Sequence, residues 1–101
     1  MPEYAYLLAP ARAEMPIDPT PEESRVVNAH FEYLRDAVRR GQAIFVGRTM
    51  DLDPLGIAVF EAETEGDARG FMLGDPAVAT GVMTAELRPF RTALMRGRDN
   101  T

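Results

Sequence analysis

The sequence has no cysteine. Disulfides, thiolate metal sites, iron–sulfur clusters and thiol catalysis are therefore excluded. Lysine is absent too: all eleven basic residues are arginine, against sixteen acidic ones, for a net charge of −5. An acidic chain without a basic run is poorly suited to nucleic-acid backbones or anionic membrane surfaces, so neither is expected as a partner. No apolar run approaches the ~18 residues of a membrane-spanning helix. The Met1-Pro2-Glu3-Tyr4 start lacks the basic segment of a secretory signal, and a cytoplasmic location is expected. There is no phosphate-binding glycine loop, no G-x-S-x-G elbow and no histidine cluster for a metal. Asp51-Leu52-Asp53 lacks the glycine and distal glutamate of a calcium loop and reads as a turn.

What is present suffices for one domain. At 101 residues and 46% hydrophobic, the chain can bury a core, although stability stays modest at this size unless an oligomer adds to it. A single domain over residues 1–96 is expected, with a polar tail, 97–101, that frays. Glu3 to Pro10 reads as a strand ending at a proline. Ala11 to Thr20 reads as a linker kept extended by Pro16 and Pro19. Thr20-Pro21-Glu22-Glu23 is a capping box with proline at the first helical position, so a helix starts there and stops at Gly41. Val27, Phe31, Leu34 and Val38 form its apolar stripe. Ala43–Gly47 and Gly56–Ala62 read as strands. Thr64 caps a second helix with Ala68, Phe71 and Met72 on its core face, stopped by Gly74. Val82–Arg88 is a fourth strand, closed by Pro89.

The order β-α-β-β-α-β predicts an α+β, ferredoxin-like sandwich with a four-stranded antiparallel sheet and two helices on one face. Strands one and three are apolar on both sides, yet the helices cover one. An uncovered apolar face marks a contact surface, and a two-fold homodimer pressing sheet on sheet is the economical solution.

His30 is the one histidine, the side chain best able to exchange protons near neutral pH. It falls at the border of the apolar stripe, where an imidazole can reach a cleft; a helix-flank histidine with one structural hydrogen bond is the competing reading. Asp75 is a candidate to accept from the imidazole N–H and fix its tautomer. Asp75-Pro76 also reads as a cap and first residue of a helical turn, and one carboxylate can do both. Arg48 and Arg25 are candidates to hold a substrate carboxylate, the alternative being solvated surface. Tyr4, Tyr6 and Phe60 are candidates for an aromatic substrate pocket, with sheet-core packing as the default; Tyr6 and Phe60 are carried forward as substrate-binding.

The segments Tyr4-Ala5-Tyr6-Leu7-Leu8, Ala29-His30-Phe31-Glu32-Tyr33-Leu34, Gly41-Gln42-Ala43-Ile44-Phe45-Val46-Gly47 and Gly56-Ile57-Ala58-Val59-Phe60-Glu61-Ala62 carry a likeness, with Asp75-Pro76-Ala77-Val78-Ala79-Thr80-Gly81-Val82 and Glu86-Leu87-Arg88-Pro89-Phe90. In them the chain resembles the YCII-related family of the dimeric α+β barrel superfamily. The resemblance implies a protomer that dimerises through its sheet and a catalytic pair at His30 and Asp75. The superfamily includes muconolactone-isomerase-like and dehydrochlorinase-like enzymes and metal-free monooxygenases of aromatics. Arg48 stands after Gly47 where many sequences of the family have proline.

The expected activity is proton transfer without a cofactor, an isomerisation or elimination on a small cyclic or aromatic compound. A non-catalytic small-molecule-binding or accessory dimer uses the same cleft in the rival reading. A structural module without a ligand is the third.

Overall fold

The computed structural model describes residues 1–98, and residues 99–101 of the expected tail lie outside them. The elements run β1 (Glu3–Pro10), α1 (Pro21–Arg39), β2 (Ala43–Arg48), β3 (Gly56–Glu61), α2 (Glu65–Gly74), α3 (Pro76–Ala79) and β4 (Met83–Phe90). The strands form one antiparallel sheet in the order β2-β3-β1-β4, the ferredoxin-like arrangement.

Local sequence sets the helix starts. The Thr20 hydroxyl accepts from the Glu23 amide at 3.1 Å, and the Glu23 carboxylate accepts from the Thr20 amide at 2.8 Å. Both partners of the capping box are thus engaged. Thr64 caps α2 by accepting from the Asp67 amide at 3.0 Å. Alternation along the strands then decides which side chains meet the helices. Tyr4, Tyr6 and Leu8 of β1 and Ala58 and Phe60 of β3 pack under Leu34 and Ala37 of α1 and Ala68, Phe71 and Met72 of α2. Phe60 and Phe71 anchor this core, with ring centroids 4.5 Å apart.

Three expectations need correction. The buried side of α1 is Val26, Leu34 and Ala37, while Phe31 and Val38 of the expected stripe stay exposed. The helix is rotated because His30 and Tyr33, polar at their tips, turn inward to partners on α2 and α3. Residues 11–20 are not extended. The Met15 amide donates to the Arg12 carbonyl and the Asp18 amide to the Glu14 carbonyl, so the segment folds back in turns and buries Met15. Proline fits such turns as well as an extended chain. Arg12 braces it, donating to the Asp18 carbonyl at 2.7 Å and to both oxygens of Glu23 at 2.9 and 2.7 Å. That guanidinium, with the Thr20 amide, pushes the Glu23 carboxyl down to about 2. Third, Pro89 lies inside β4, opposite Tyr4, and does not end it. β4 is an edge strand, where a missing N–H costs no ladder bond on the open side. Asp75-Pro76 opens a helical turn, α3, as its reading as a cap and first helical residue expects.

The uncovered sheet face is narrower in apolar surface than alternation alone suggests. Ala5 and Val59 point to it, yet both are buried within one chain. Leu7 and Ile57 are half-buried and Phe45 is 42% exposed. β4 contributes Thr84, Glu86 and Arg88 there, all exposed. Of the tail, Arg98 lies 3.6 Å from the Glu3 carboxylate.

Candidate active site

Asp75 sits where α2 ends and α3 begins, serving as C-cap of one and N-cap of the other. It is fully buried, the one charged residue of the described chain with no exposure. Burying a carboxylate costs several kcal/mol unless donors replace its water. Three donors do. The Tyr6 hydroxyl donates to Oδ2 at 2.7 Å, the Ala77 amide to Oδ1 at 3.0 Å, and Nδ1 of His30 lies 2.8 Å from both oxygens. One carboxylate thus caps a helix and orients an imidazole.

The ring's orientation follows from this. A carboxylate accepts, so Nδ1 carries the proton and donates. Nε2 is left with its lone pair and, among the described residues, no hydrogen-bond partner. The His30 side chain is 13% exposed. Burial, followed by the Asp75 charge and hydrogen bond, pushes the Tyr6 hydroxyl far above its usual range, so it remains a donor. Tyr33, one turn along α1 from His30, donates to the Phe71 carbonyl at 2.7 Å and ties α1 to α2. Gly74 permits that contact, since a Cβ there would stand 2.9 Å from the Tyr33 oxygen.

His30 lines a cavity of about 530 Å³ at the end of the sheet, within the ~300–1,000 Å³ typical of small-ligand sites. Ser24, Val27, Asn28 and Phe31 of α1 form one wall. Met15, Pro16 and Pro19 of the folded linker form another. Leu8, Val46, Arg48, Gly56 and Met83 close the sheet side. The lining is mostly apolar. Among the described residues no group of three or more metal-ligating side chains comes together.

His30, Asp75 and Arg48 are therefore brought to one region, the first and last at the cavity and the second behind the ring. Tyr6 and Phe60, expected at the substrate, do not line the cavity. Both are fully buried in the core, their ring centroids 5.8 Å apart. Tyr6 meets the site through Asp75. Arg25 is exposed and pairs with Glu22. Sequence reasoning missed the linker wall and Ser24, Val27, Asn28 and Phe31. The last four had a signal, a spacing of three and four residues that puts them on one helix face.

A comparison with protein families matches the YCII-related domain over residues 3–91. The chain belongs to the YCII-related family. Curated proteins give no match to this YCII-related chain. Among solved structures it is similar to 5-chloro-2-hydroxyhydroquinone dehydrochlorinase from Burkholderia phenoliruptrix AC1100, in complex with 2,5-dihydroxybenzoquinone. The identity is 18% and the TM-score 0.55, covering 86% of this chain and 93% of that one. That likeness shows the fold.

Proposed function

We propose that this YCII-related protein is an enzyme that moves a proton on a small cyclic or aromatic compound, with His30 as the base. The observation that carries this is the imidazole itself. Asp75 holds the Nδ1 side at 2.8 Å, and the ring lines a largely apolar cavity of ligand size. Nε2 takes a proton from a carbon beside a carbonyl, and the C–H electrons form an enolate. The imidazolium so formed is stabilised by Asp75. Return of the proton to another carbon completes an isomerisation. Departure of a leaving group with its electron pair, as a double bond forms, completes an elimination. Apolar walls line the approach to the base. One imidazole gives and takes the proton, so neither step calls for a cofactor. The bound quinone and the dehydrochlorinase activity of the similar structure fit this class of substrate. We place the working form as a homodimer joined through the uncovered sheet faces, and the cysteine-free chain in the cytoplasm. No described helix is long and apolar enough to cross a membrane.

The test is turnover. Chloride release from 5-chloro-2-hydroxyhydroquinone, and deuterium wash-in at C–H groups beside the carbonyl of cyclic ketones, should both be sought with wild type and His30→Ala. Catalysis by wild type alone supports the reading. Equal rates with both proteins across the panel would leave a non-catalytic binding dimer as the better account.

A further inference from the structure

The cavity beside His30 is charged in one sense only. Among the described residues no acidic side chain lines it, and one arginine does, Arg48. Asp75 touches His30 but is not part of the cavity wall, and its oxygens are engaged by three donors. In an acidic protein this is the reverse of a proportionate lining.

The strand register explains how Arg48 reaches the site. It pairs with Gly56, which pairs in turn with Leu8, so the three form one row across the sheet. Leu8 belongs to the helix-covered core, which puts Arg48 on the same side. Gly56 between them has no side chain, and the Leu8 side chain lies 3.4 Å from where a Cβ would stand. Arg48 has no ion-pair partner among the described residues, a state it shares with Arg39, Arg69, Arg91 and Arg96, and of these it alone lines the cavity. In the loop that follows, Asp51 accepts from the Thr49 hydroxyl at 2.8 Å. A guanidinium is weakly hydrated, lies readily against apolar groups and matches the fork of a carboxylate.

We propose that the site selects an apolar, ring-sized compound carrying one carboxylate, and that Arg48 is the residue that selects it. The proposal rests on this cavity being the ligand site and gives its substrate class. The carboxylate sits on Arg48 and the ring on Val27 and Phe31, with the reacting carbon towards Nε2 of His30. The neutral side chains Ser24 and Asn28 remain for a carbonyl or hydroxyl.

Three compounds of one shape and different charge test this: benzoate, benzamide and benzamidinium. Affinities are read by NMR titration of the intact protein, following the His30 ring and the backbone amides. Wild type should bind benzoate about two- to five-fold tighter than benzamide, the upper range of a solvent-exposed ion pair, and benzamidinium weakest. Arg48→Gln should bring benzoate and benzamide to the same affinity without weakening benzamide, and Arg48→Lys should keep part of the preference. Equal affinity for benzoate and benzamide in wild type, or a benzoate preference that survives Arg48→Gln, overturns the proposal. Absence of benzoate binding overturns it as well. Turnover is a separate readout: a protein that prefers benzoate but catalyses nothing keeps this proposal and loses the proton-transfer reading.

Discussion

Replacing Tyr6 with phenylalanine isolates one of the three donors that make a buried Asp75 tolerable. The substitution removes a single hydroxyl. The ring stays, with its edge contacts to Phe60 at 5.8 Å and Phe71 at 6.1 Å, so no cavity of consequence opens. What is lost is a 2.7 Å hydrogen bond to a fully buried carboxylate oxygen. Hydrogen bonds to charged groups contribute about 1.5–3 kcal/mol, and no water reaches Oδ2 to replace this one. Tyr6→Phe should therefore lower the unfolding free energy by that amount, read from urea midpoints at unchanged m value. The pH dependence has a definite sign. The folded-state pKa of Tyr6 is raised above its ordinary 10 by burial, then by Asp75. Its contribution is complete below pH 10 and declines as the pH rises further. Wild type and Tyr6→Phe should thus differ fully at neutral pH and converge in strong alkali. A loss below ~0.5 kcal/mol at pH 7, less than an ordinary neutral hydrogen bond, would refute an ionised Asp75 held by Tyr6.

Gly74→Ala should cost about 1–3 kcal/mol by forcing Tyr33 from the Phe71 carbonyl, an overpacking penalty. In a Tyr33→Phe background the obstructing oxygen is gone and the cost should largely vanish, which a double-mutant cycle by chemical denaturation measures. For Glu23, whose carboxyl is held at about 2 against an ordinary 4.5, the stability difference between wild type and Glu23→Gln should be complete above pH 4.5. It should shrink as the pH falls towards 2, in acid titrations followed by circular dichroism. Light scattering over a dilution series should give twice the chain mass at micromolar concentration. Phe45→Glu on the uncovered face should reduce it to one chain, and a wild-type monomer would reject the sheet-to-sheet dimer.

Much of this architecture is legible in the residues because it depends on local rules. Thr20 and Glu23 satisfy each other within one turn of helix, and strand alternation sorts Tyr6 from Leu7 without reference to the rest of the chain. The rotation of α1 is different. Counting apolar residues centres the stripe on Val27, Phe31, Leu34 and Val38, because histidine and tyrosine count as polar. Their inward turn is stabilised by Asp75 and the Phe71 carbonyl, 45 and 38 residues away, which no local pattern announces. Tyr6 illustrates the same limit. An aromatic residue on an apolar strand reads as a ring, and the partner of its hydroxyl lies 69 residues downstream. The linker wall was hidden because proline is compatible with both extension and turning, and Arg12 decides between them through Asp18 and Glu23.

The central claim is that His30 offers an unprotonated Nε2 to the cavity because Asp75 holds the proton on Nδ1. With one histidine in the chain, long-range nitrogen–proton NMR correlations of the ring report the tautomer of the neutral imidazole without an assignment problem. The account predicts a protonated Nδ1 and a bare Nε2, with this preference weakened in Asp75→Asn. A neutral ring carrying its proton on Nε2 in the wild-type protein would contradict it.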